Sequence, residues 1–99
     1  MWMARKGMTT NVKIYIDNSR EIYCITEWLA NCVAKRMKRG QLVTVEHLAN
    51  SSTMKKIISM ACKMCKEYNE PQPTKEERKE IATVHARYII EDFAPFVEL

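Results

Sequence analysis

Met54, Ile57, Ile58, Ala61, Met64, Cys65 and Tyr68 recur at helical spacing, and at about 100° per residue all seven fall on one face of a single helix. Lys55, Lys56, Ser59, Lys63, Lys66 and Glu67 fall opposite. A face this apolar has to be covered by the rest of the chain, so the segment predicts a packed helix with a basic outer side. The whole chain has 99 residues, which suffices for one core and not for two. With only 2 glycines and 3 prolines, little in it interrupts regular structure.

The remaining segments divide around this helix. Residues 1–10 read as a flexible basic leader, and residues 11–99 as a single helical domain. From Asn11, the alternation of Val12, Ile14 and Ile16 with Lys13 and Tyr15 has the two-residue period of a half-buried strand. Its unpaired edge would need Gln41–Val45 or the equivalent strand of a second copy, or else extend as an arm, and the second copy is favoured. Asp17, Asn18 and Ser19 supply N-cap chemistry for a helix that runs to Arg39 and stops at Gly40. Its stripe is Ile22, Ile25, Leu29, Cys32 and Val33, and Cys24 points outward with Lys35 and Lys38. Thr44 caps a short helix with Val45, Leu48 and Ala49 inward, and Asn50, Ser51 and Ser52 start the long one. After the proline-stiffened turn at Pro71 and Pro73, Thr74 and Glu77 form a capping box. The last helix runs from Lys75 to about Ala94, where Pro95 stops it; its stripe is Ile81, Ala82, His85, Tyr88, Ile89 and Phe93. The expected fold is mainly α, a small helical bundle of about four helices with one short N-terminal β-strand.

Cys62 and Cys65 have the spacing of a zinc knuckle or a redox dithiol. Tetrahedral zinc needs four ligands, and no second pair accompanies them. A redox pair belongs at a helix N-terminus, whereas these two lie inside a helix on its apolar side. They read as core thiols, and no metal or cofactor is expected. Arg78, His85 and Asp92 recur every seven residues along the last helix, with Arg36 on the matching line of the first long one. An acid–base site there would need His85 open to a pocket; the simpler reading is a core histidine with a hydrogen-bond partner, and the chain is not expected to be an enzyme. No apolar run reaches the roughly 20 residues of a membrane span, and the start lacks the apolar core of a signal peptide, which predicts a cytoplasmic protein with reduced thiols.

The net charge of +4 permits an anionic partner. Thr44–Ser59 loosely resembles a helix-turn-helix, with Thr53 where the turn glycine usually stands. The order strand, helix, helix is similar to ribbon-helix-helix repressors, but with a longer first helix. Nucleic acid would be held through Lys35, Lys38, Arg39, Lys55, Lys56 and Lys63, although cations such as Lys35, Lys38 and Arg39 also offset the dipole of the helix they end, by about 0.3–1 kcal/mol each. Aromatic and methionine side chains stand at the margins of the stripes, beyond what one small core requires. Tyr15, Tyr23, Trp28, Met60, Phe93 and Phe96 are therefore the interface candidates. The expected function is a non-catalytic protein–protein interaction or oligomerisation module that self-associates as a dimer or larger, with another protein as a further partner. The alternative is a nucleic-acid-binding regulator.

Overall fold

The computed structural model describes residues 12–98, and they form five α-helices. These are α1 (Val12–Asn18), α2 (Arg20–Lys38), α3 (Val45–Ala49), α4 (Ser52–Glu67) and α5 (Lys75–Tyr88). A π turn over Ile89–Phe93 and a 3-10 turn over Ala94–Phe96 follow directly on α5. The leader read over residues 1–10, and Asn11 at the start of the expected strand, lie outside the described residues. From Val12 onward that segment is helical. Val12 and Ile16 are buried while Ile14 is exposed. The same three residues that alternate like a strand contain an i,i+4 pair, and the helix buries that pair and turns Ile14 outward.

Helix α4 is the hub, packing against each of the other four helices. Met54, Ile57, Ile58, Ala61 and Cys65 of its stripe are buried, and Cys62 joins them from the edge. Tyr68, expected to close the stripe, stands out at the C-cap and stacks on Tyr15 of α1, with ring centroids 5.9 Å apart. The Tyr15 hydroxyl donates to Glu70, and that bond, with burial second, pushes its pKa up to about 12. This pair of contacts fastens α1 over the end of α4. In α2 the buried line is Ile22, Thr26, Leu29, Ala30, Val33 and Ala34, rotated from the expected one so that Ile25 and Cys32 are only half-buried. Two alanines on that line let neighbouring backbone approach, and Thr26 faces inward because it meets His85.

Helix ends follow sequence chemistry closely. Ser19, Thr44, Ser51 and Thr74 each accept a hydrogen bond from the backbone N–H three residues on, at 3.1–3.3 Å. Glu77 completes the capping box by accepting from the Thr74 N–H at 2.9 Å. After α2, Gly40 takes φ +79, its N–H bonding to Met37 O and that of Gln41 to Arg36 O. This is a Schellman stop. Asn69, at φ 55, ends α4 in the same way, with the Glu70 N–H bonding to Cys65 O at 2.8 Å.

Candidate functional site

The end of α5 changes pitch because Pro95 cannot donate and its ring crowds the carbonyl four residues back. In place of α geometry, the Ala94 N–H bonds to the carbonyl of Ile89, five residues earlier. Tyr88 and Phe93, also five apart, would point well away from each other on an α-helix. The π turn brings them to one side, edge to face, with ring centroids 5.9 Å apart. Across from them, Tyr23 of α2 reaches Phe93 at 6.1 Å. Phe96 and Val97 extend the same wall, giving an open groove of about 480 Å³ edged by Glu27, Asp92 and Glu98. Tyr23 is 50% exposed, Tyr88 40% and Phe96 77%. Burial raises the Tyr88 pKa, with Tyr23, Asp17 and Asp92 adding to it.

A second, larger groove of about 800 Å³ lies among α3, α4 and α5. Val45, Ala49, Ile58, Cys62 and Ala82 give it apolar surface. Lys55, Lys75, Arg78, Lys79 and Arg87 surround it, against a single carboxylate, Glu46. Among the described residues, none of these five cations forms an ion pair.

Of the six interface candidates, Tyr23, Phe93 and Phe96 meet in the aromatic groove. Tyr15 is engaged with Tyr68 and Glu70. Trp28 is 58% exposed on α2 outside that groove. Met60 lines a third depression of about 560 Å³ with Arg20 and Lys63. The six candidate phosphate contacts are divided: Lys55 lines the basic groove, Lys56 is exposed on α4, and Lys63 sits beside the first turn of α2. Lys35, Lys38 and Arg39 are at the other end of α2, about 20–30 Å away at 1.5 Å per residue. The sequence places Tyr88 and Phe93 on one buried stripe of a regular helix; the π turn that sets them edge to face beside Tyr23 has Pro95 as its one signal in the sequence.

His85 is 3% exposed, stacks on Tyr88 at 5.9 Å, and has Nε2 3.0 Å from the Thr26 hydroxyl. Burial lowers its pKa to about 4; the nearby Lys13 ammonium adds to this and Asp17 opposes it. Lys13 is itself buried and pairs with Asp17 at 2.6 Å. Arg78 faces the basic groove and Asp92 the aromatic one, so the line through His85 does not converge on a common site. A neutral, enclosed imidazole hydrogen-bonded to Thr26 is a core histidine, and it is not open to a pocket as an acid–base group would be. All four cysteines are free thiols and Cys24 is the exposed one, as its position opposite the stripe predicts. Cys62 and Cys65 are buried; burial raises the Cys62 pKa, opposed by Arg78. Among the described residues no three His, Cys, Asp or Glu side chains cluster as metal ligands would, and no helix is long and apolar enough to cross a membrane.

No protein-family model matches the chain, and neither a curated protein nor a solved structure matches it.

Proposed function

We propose that the protein acts by binding, as an interaction and oligomerisation module whose working surface is the aromatic groove around Tyr23, Phe93 and Phe96. The observation that carries this reading is the gathering of partly exposed aromatic rings into one concavity by the π turn. Each ring leaves apolar area in water, and covering that area returns about 25 cal/mol per Å². Rings held in this way against a polar margin are what interface centres are enriched in. A second copy is the proposed occupant, with the cytoplasm as the setting that suits four free thiols.

Light scattering at low and high salt tests this. The parent protein is expected to be a dimer or larger at micromolar concentration, and to remain so at high salt because apolar contact is not screened. Phe96→Ser is expected to weaken association by about tenfold or more, the range of an anchor residue in an interface. A parent that stays monomeric up to about 1 mM, the edge of specific affinity, would sink self-association. The nucleic-acid alternative separates in the same measurement, since phosphate contacts produce a complex with duplex DNA that fades steeply with salt.

A further inference from the structure

We propose that the groove among α3, α4 and α5 receives an acidic amphipathic helix from a partner protein. This surface is separate from the aromatic groove and takes an occupant of opposite charge character. On α5 the groove is lined at Lys75, Arg78, Lys79, Ala82, Thr83 and Arg87, a single helical stripe. The stripe spans about 18 Å at 1.5 Å per residue. On α4 it is lined at Lys55, Ile58, Ser59 and Cys62, again i, i+3, i+4 and i+7. Two such stripes side by side form the trough into which a third helix lays its ridge. Ala49, Ser59, Ala82 and Thr83 are small, which leaves room in the trough for a helix backbone to come close.

Charge decides what kind of helix fits. Five cations against one carboxylate line the groove, four of them recurring along α5 from Lys75 to Arg87 and Lys55 standing on α4. A small anion with one head group would meet one or two of them and leave the rest unanswered. A nucleic-acid strand would answer the cations but has no apolar ridge to cover the half-buried Val45 and Ala49. A helix with leucines along one line and glutamates flanking it satisfies both, pairing its carboxylates with the rim and burying its leucines on the floor. The Arg78 and Arg87 guanidiniums are suited to bidentate pairing with those carboxylates.

Fluorescence anisotropy on the full chain tests the proposal with three labelled probes. One is a peptide of about 15 residues, roughly four helical turns, with leucines along one line and glutamates flanking that line on both sides. The second is a scrambled peptide of the same composition, and the third is a short DNA duplex. The amphipathic peptide is expected to bind, with the scrambled one at least about tenfold weaker because it cannot present one apolar line. Lys79→Glu with Arg87→Glu is expected to weaken the amphipathic peptide by about tenfold or more. Both positions are exposed, so the fold should tolerate the change, and circular dichroism checks that it does. Thr83→Trp, which fills the trough by bulk without altering charge, gives an independent block. Phe96→Ala, in the other groove, should leave peptide affinity unchanged, so this result stands apart from the fate of the self-association reading. The proposal is overturned if the two peptides bind alike, if the duplex displaces the peptide at equal concentration, if the variants bind as well as the parent, or if no binding occurs up to about 1 mM.

Discussion

His85 is held neutral by what surrounds it. Its ring is enclosed, one nitrogen faces the Thr26 hydroxyl, Nδ1 has no hydrogen-bond partner among the described residues, and the Lys13 ammonium stands nearby. The unfolded chain takes up the imidazole proton near pH 6.5, and the folded one only near pH 4. Between those values the unfolded state binds more protons, so stability is complete above the window and falls as pH drops through it. At about 1.4 kcal/mol per tenfold change, the loss between pH 7 and pH 5 is roughly 2 kcal/mol. Urea unfolding across that range should show the decline in the parent protein and a flatter profile in His85→Gln. A parent profile without slope between pH 6.5 and 5 would contradict the enclosed, neutral imidazole.

Two helices end on left-handed residues, and they predict opposite responses. At Gly40 a new Cβ would meet nothing within 4 Å, so Gly40→Ala carries only the dihedral penalty at φ +79, about 1 kcal/mol of destabilisation. At Asn69, φ 55, glycine relieves a similar penalty, and Asn69→Gly is expected to be neutral or stabilising by a few tenths of a kcal/mol. Chemical denaturation of both variants checks the signs. These ends were largely legible beforehand, since Ser19, Thr44, Ser51, Thr74 and Gly40 are side chains or backbones that satisfy orphan groups locally. The α4 stripe was legible for the same reason that α4 is the hub: its apolar face is too wide to serve a single neighbour. Val12–Ile16 was not, because three residues satisfied both periods and only burial of the i,i+4 pair separates them. The inward face of α2 was read too far toward Cys32, since nothing local shows that Thr26 has a histidine to meet. Neither groove could be read, because each is a property of several elements and, for the aromatic one, of a pitch change that periodicity assumes away.

Each helix carries both core and surface residues, and they differ in what their loss costs. Ile57 is fully buried on α4, where every other helix packs, and Ile57→Ala is expected to cost about 2–5 kcal/mol. Trp28, more than half exposed, should change stability by less than about 0.5 kcal/mol when truncated to alanine. Thermal unfolding of the two variants would show whether α4 is the hub; equal losses would refute it. The π turn extends this division of labour along one continuous rod. Closing i to i+5 spends an extra residue per turn, so everything after Ile89 is out of phase with the stripe that seats α5. The anchoring half and the displayed half thereby have separate rotational settings, like two dials on one shaft. Ile81, His85 and Ile89 seat α5 in the core, and Ala94 seats the segment beyond the change of pitch. A chain built in this way can change what the exposed Phe96 presents to the outside while Ala94 and Phe93 keep the segment seated on the core.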